Sequence, residues 1–188
     1  MIFFITATDT GVGKTYFSYL LVKKFSKEGK KTKYIKVVQT GYPEDDDSSF
    51  VAKSKVETKT LYFGKEPLAP YFIFENFPID EAINKIKSEE VDFTVVEGSG
   101  GLLVPLDKKN FMVDIPKRMK LKTIIVVPNK LGCINQTLLN LYYCEKEDID
   151  LYGFALNDFF LERYDNFNAL QDLTGKIRYR FKDVINTA

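Results

Sequence analysis

The chain has 188 residues, with 27 lysines and arginines against 26 aspartates and glutamates, a net charge of +1 that gives no sign of a basic nucleic-acid surface or an acidic tail. A hydrophobic content of 45% with 14% aromatics fits one packed domain of ordinary size and excludes disorder. There is no histidine, and the only cysteines are Cys133 and Cys144, so His-based nucleophile systems, His-ligated or four-thiolate zinc and multi-disulfide scaffolds are excluded.

Residues 2–6 form an apolar, β-branched and aromatic run that predicts a buried strand. It leads directly into Ala7-Thr8-Asp9-Thr10-Gly11-Val12-Gly13-Lys14-Thr15, and residues 15–28 follow with Phe17, Leu20, Leu21 and Phe25 at helical spacing before Gly29. Strand, glycine loop, Lys-Thr and helix together form the context of a phosphate loop. Its glycines let backbone amides wrap a polyphosphate, Lys14 reaches the terminal phosphates, and the Thr15 hydroxyl suits Mg²⁺. Thr8 stands where the usual first glycine would be.

Residues 34–38 predict a second buried strand that carries Lys36 in an apolar setting. Such a lysine either faces an anion at the strand end or snorkels at a sheet edge. The run Asp45-Asp46-Asp47 stands just before residues 48–54, and reads as a helix cap or a solvated charge run. Residues 79–88 show an apolar helical face. Residues 93–97 predict a third strand ending at Glu97 and followed by Gly98-Ser99-Gly100-Gly101. A carboxylate there is placed either for Mg²⁺ opposite the loop or for a salt-bridged turn. Residues 123–127 and 151–156 predict two further strands. Between them, residues 133–143 predict a helix whose open amides suit a carboxylate. Cys133 reads there as a packing residue.

Alternating strands and helices predict an α/β fold, a single-domain, doubly wound and mostly parallel sheet with helices on both faces, of the P-loop nucleotide-binding type, spanning residues 1–188. The longest apolar runs are far shorter than the roughly 20 residues that span a bilayer. The N-terminus has no signal-peptide pattern. A cytoplasmic protein is expected, with no nucleic-acid or membrane partner.

Together, TDTGVGKT (8–15), KVVQTG (36–41), EGSGGLLVP (97–105), KLGCINQTLL (130–139) and LND (156–158) resemble the dethiobiotin synthetases in order and spacing. The resemblance implies a parallel seven-stranded sheet, a homodimer, and an ATP-dependent cyclo-ligase that closes a cyclic urea on 7,8-diaminononanoate with CO₂. It implies that Gly11, Val12, Gly13, Lys14, Thr15, Tyr16, Asp47, Glu97, Gly98, Ser99, Gly100, Asn157 and Asp158 hold the nucleotide, with Asn157 reading the adenine. Lys36 and Lys14 are the implied catalytic cations, and Thr15, Asp47 and Glu97 the Mg²⁺ ligands, with Asp46 as the alternative to Asp47. Thr10, Lys36 and Thr40 would meet the diamine. Gly132, Cys133, Ile134 and Asn135 would receive its carboxylate from the neighbouring subunit.

Residues 177–180 lack the proline of the segment with which relatives cover the base, so ATP is expected to share its role with other nucleoside triphosphates. Closure of Tyr179 and Phe181 over adenine is the alternative. A partitioning ATPase of the MinD kind is the competing class, but its signature lysine, five residues before the loop lysine, is here Asp9. A glutamine-dependent amidating synthetase is excluded by the missing histidine.

Overall fold

The computed structural model describes residues 1–88, 90–161 and 163–187. The apolar runs become β1 (Ile2–Ala7), β2 (Thr32–Thr40), β4 (Phe93–Glu97), β5 (Lys122–Pro128) and β6 (Leu151–Asn157), joined at the edges by β3 (Glu57–Gly64) and β7 (Ile177–Arg180). All pairs are parallel, and the order is β3-β2-β4-β1-β5-β6-β7. Chain progression reverses across β1 and β4, and the loops leaving those two strands open the crevice where ligands bind in such sheets.

Alternation along each strand divides the core between the two faces. Phe3 and Ile5 of β1 pack with Phe17 and Leu21 of α1 (Lys14–Lys27), Val51 of α2 (Asp47–Ala52) and Phe181 of α7 (Phe181–Thr187). Phe4 points the other way, to Ile83 of α3 (Ile79–Lys87) and Ile115 of α4 (Asp114–Met119). Ile125 and Val127 meet Cys133 of α5 (Cys133–Lys146) and Leu170 of α6 (Phe167–Thr174). Cys133 and Cys144 are free and buried in that third cluster. No helix among the described residues is long and apolar enough to cross a membrane.

The predicted central elements form, with shifted ends. β2 runs from 32 to 40 rather than 34 to 38, because Thr32, Lys33 and Gln39 pair with β3 or β4 despite their polarity. α5 reaches Lys146 rather than residue 143.

The long loop after β4 is fixed by one side chain. Asp107 accepts bonds from the amides of Phe77 (2.7 Å), Lys109 (2.7 Å) and Asn110 (2.8 Å). Burial disfavours its charge, but these bonds prevail and hold the carboxyl at about 2. Asp165, bonded by Asn129, Arg180 and the Phe167 amide, is likewise held at about 2. A folded pKa below the unfolded one means stability that is present above about pH 4 and is lost as pH falls towards about 2. Urea midpoints should therefore drop between about pH 5 and pH 2.5 in the native chain, and drop less in Asp107→Asn.

Candidate active site

Gly13 is the N-cap of α1 and sits at φ 99° with no side-chain cap, so the first amides of the helix remain open. Glycine is needed there for space as well as backbone angle. A Cβ would lie 2.5 Å from Asn157 Nδ2 and 3.3 Å from Phe181 Cε2. Lys14 folds back over the loop, its Nζ donating to the Asp9 carbonyl at 3.2 Å. Burial lowers its pKa more than the nearby Glu97 raises it. The loop forms one wall of a cleft of about 610 Å³, whose other walls carry Lys36, Thr40, Asp47 and Ser99.

Sheet register brings the charged groups together. Lys36 of β2 stands beside Glu97 of β4 on the face that carries α1. Lys36 Nζ lies 2.9 Å from Glu97 Oε1 and 2.5 Å from Asp47 Oδ2. Both partners of the inner pair are buried, Lys36 at 3% exposure and Glu97 at 0%. Burial opposes the Lys36 charge, but Glu97 and Asp47 more than offset it, so its pKa is raised. Burial also opposes the Asp47 charge. Lys36, together with hydrogen bonds from Lys36 and Thr15, prevails and lowers the Asp47 pKa.

Glu97 is the hub. It accepts bonds from the hydroxyls of Thr15 (3.1 Å), Ser18 (2.7 Å) and Tyr34 (3.1 Å) besides the lysine. Burial first, and then Glu97, push the Tyr34 phenol well above its usual pKa, so Tyr34 stays a donor. Asp46 also lines the cleft, but its carboxylate is the N-cap of α2, accepting from the Ser49 amide at 3.0 Å. Of the two neighbouring aspartates, Asp47 faces the lysine.

The donor set fits a particular kind of cation site. Among the described residues no cluster of three or more acidic, thiol or imidazole side chains stands ready to cage a metal. Thr15 and Asp47 offer hard oxygens at the cleft wall, and Glu97, buried behind Lys36 with both oxygens bonded, would have to exchange a partner to reach a cation. So few protein oxygens suit Mg²⁺, which keeps water and takes phosphate oxygens for its remaining positions.

A family model described as an AAA domain matches residues 2–179. The ATP-dependent dethiobiotin synthetase BioD of Hydrogenobaculum is 32% identical over 92% of this chain and 85% of its own length. That of Aquifex aeolicus is 34% identical over 94% and 86%, and that of Methanocaldococcus jannaschii 36% over 82% and 78%. This chain belongs to the dethiobiotin synthetase family. Among solved structures, a ParA family ATPase from Chlorobium tepidum superposes with TM-score 0.63 at 13% identity, covering 98% of this chain and 86% of its own. MinD from Pyrococcus horikoshii gives 0.60 at 18%, covering 95% and 77%. At such identities the likeness establishes the P-loop ATPase fold alone.

In this member of the dethiobiotin synthetase family, the structure gathers only some of the residues expected from sequence. Gly11, Gly13, Lys14, Thr15, Tyr16, Lys36, Thr40, Asp47, Ser99 and Gly100 line the main cleft, and Glu97 lies directly behind Lys36. Thr10 is shared with an adjoining cleft of about 410 Å³ walled by Gly101, Leu103 and Asn140. Val12 is buried core, its carbonyl bonded by Asn157. The Gly98 amide is bonded to the Ile5 carbonyl at 2.9 Å, and Ser99 Oγ donates to Val38 O at 2.5 Å, so the glycine stretch is stitched to the sheet.

Gly132, Cys133, Ile134 and Asn135 line neither cleft. Asn157 is 3% exposed and Asp158 is paired with Arg180. Residues 177–180 are strand β7, and Phe181 is fully buried, stacked on Phe17 at 5.4 Å. Tyr179 meets Phe17 edge-on at 5.3 Å. Phe181 is therefore core, and Tyr179 is half-buried against it. Sequence reading missed Ser18 and Tyr34. The available signal was a polar group one helical turn beyond Lys14 and another two residues before Lys36, on the same strand face.

Proposed function

We propose that this chain is a dethiobiotin synthase that uses Mg·ATP and CO₂ to close the cyclic urea of dethiobiotin on 7,8-diaminononanoate, acting in the cytoplasm as one domain per subunit of a homodimer. The observation that carries the reading is Lys36, a buried ammonium held between two carboxylates at the mouth of a phosphate loop in a chain without histidine. The reaction needs fixed positive charge more than a proton relay. One amine adds to CO₂ to give a carbamate. A carbamate oxygen attacks the γ-phosphorus and ADP leaves. The second amine attacks the carbamoyl carbon and phosphate departs.

Lys36 sits where it can face both the carbamate oxygen and the γ-phosphate, and Lys14 with the open amides of α1 holds the phosphate chain. Thr15, Asp47 and Glu97 would hold Mg²⁺, which when bound neutralises phosphate oxygens. The hydroxyls of Thr10 and Thr40 line the clefts where the diamine would be oriented. Incubation with diaminononanoate, bicarbonate, Mg²⁺ and ATP should yield a product of dethiobiotin mass, with ADP and phosphate in equal amounts. ATP hydrolysis independent of the diamine would overturn the reading.

The homodimer reading is supported by the α5 start, which has no side-chain cap and whose residues lie outside this chain's own clefts. Twofold pairing would carry that helix end to the neighbour's diamine site. Mixing Lys36→Ala subunits with subunits carrying a bulky residue at Gly132 should then restore part of the lost activity. No rescue after verified subunit exchange would place each site within one chain.

A further inference from the structure

The two oxygens of Glu97 keep different company. Oε1 accepts from Thr15 at 3.1 Å and from Lys36 at 2.9 Å, and both of those side chains line the cleft. Oε2 accepts from Ser18 at 2.7 Å and from Tyr34 at 3.1 Å, and both of those residues are fully buried. Tyr34 lies two residues before Lys36 on β2, so the two share a sheet face. Its ring belongs to the core cluster of Phe17, Val51 and Phe93. A phenol so deeply packed needs a partner for its O–H, and Glu97 Oε2 is that partner.

Lys36 has no donor to spare. An ammonium carries three N–H groups, and this one donates to Glu97 Oε1, to Asp47 Oδ2 at 2.5 Å and to the Gly98 carbonyl at 3.4 Å. Nothing is left for a phosphate or carbamate oxygen. A single exchange relieves both constraints: Oε1 gives up the lysine and takes a cation. A carboxylate that swaps partners on one oxygen keeps its place only if the other oxygen is held.

We propose that Tyr34 and Ser18 are positioning residues that hold Glu97 by Oε2, so that Oε1 can exchange Lys36 for the cation of a metal–nucleotide complex and free the Lys36 ammonium for the reacting oxygens. The inference rests on the reading that Glu97 is a metal ligand. Tyr34 and Ser18 touch neither substrate nor metal; they act through the carboxylate. Losing a group that orients a metal ligand weakens metal binding by about tenfold to a hundredfold.

Calorimetric titration with ADP, in EDTA and again in saturating Mg²⁺, gives the factor by which the metal tightens the nucleotide. Tyr34→Phe keeps the ring and removes only the hydroxyl, and Ser18→Ala is the second variant. Each should cut that factor by about tenfold while leaving metal-free ADP within about twofold of native. Added to Glu97→Gln, Tyr34→Phe should change the factor by less than about twofold, because the group it acts through is gone. Phe93→Leu, a change in the same core cluster, should lower the urea midpoint and leave the factor unmoved. A lowered factor in Glu97→Gln with none in Tyr34→Phe and Ser18→Ala would overturn the positioning role and leave the metal reading standing. An equal fall in Phe93→Leu, or a second full loss in the double variant, would also overturn it. An unchanged factor in Glu97→Gln would overturn the metal reading and the inference with it.

Discussion

Lys36→Ala and Lys14→Ala are each expected to lower kcat by about a hundredfold or more, the scale of losing one fixed charge-stabilising donor from a transition state. Their folding consequences should differ. Lys14 makes one bond to a loop carbonyl, so its removal should leave the urea midpoint nearly unchanged. Lys36 is the charged partner of a fully buried Glu97, and stripping one side of such a pair costs about 3 kcal/mol or more. The three hydroxyls on Glu97 set the loss at the low end of that range. Turnover per folded molecule, with the midpoint read on the same samples, separates the two effects. Near-normal turnover in folded Lys36→Ala would remove that lysine from the chemistry.

Replacing Glu97 with glutamine is expected to raise the Mg²⁺ concentration for half-maximal activity by about tenfold or more, the usual scale for disturbing a metal's supporting shell. Glutamine keeps the shape and can still accept the Ser18 and Tyr34 bonds, but it loses the charge that a hard cation needs. Asp47→Asn should shift the same titration. Asp46→Asn should leave it in place, because asparagine caps a helix as well as aspartate does. An unmoved titration in Glu97→Gln would take Glu97 out of any metal site.

The phosphate loop, Lys36 and Glu97 were legible in the sequence because each violates its surroundings: glycines between strand and helix, and charges at the ends of apolar runs. The central strands were legible for the complementary reason, since a strand covered on both faces must be apolar throughout. β3 and β7 escaped notice because they are the two edges of the sheet. Residues 57–60 alternate between exposed and partly buried positions, with only Leu61 and Gly64 buried beyond them, and residues 177–180 are only partly covered, so neither reads as an apolar run. Short helices α2, α4, α6 and α7 had too few turns to show a period. The choice between Asp46 and Asp47 was illegible because it depends on which residue begins the helix, and cap positions shift by a residue or two in any sequence reading. Asn157, Tyr179 and Phe181 looked like base readers by position. Phe181 and Tyr179 instead pack on Phe17 of α1, a long-range contact that leaves no local mark, and Asn157 is bonded at the end of β6 to the Val12 carbonyl.

Lys14 and Lys36 share the cleft with Asp47 and with Glu44, Asp45 and Asp46, and Glu97 is buried behind Lys36, so ammonium and carboxylate groups are already interleaved there before any ligand arrives. A free triphosphate would bring its charge against carboxylates as well as ammonium groups, and a free divalent cation would meet the reverse. Each ligand relieves the repulsion felt by the other, so metal and nucleotide should bind with positive heterotropic coupling. Reciprocity then requires each to tighten the other by the same factor, and the metal–nucleotide complex, rather than either component, becomes the species this cleft selects.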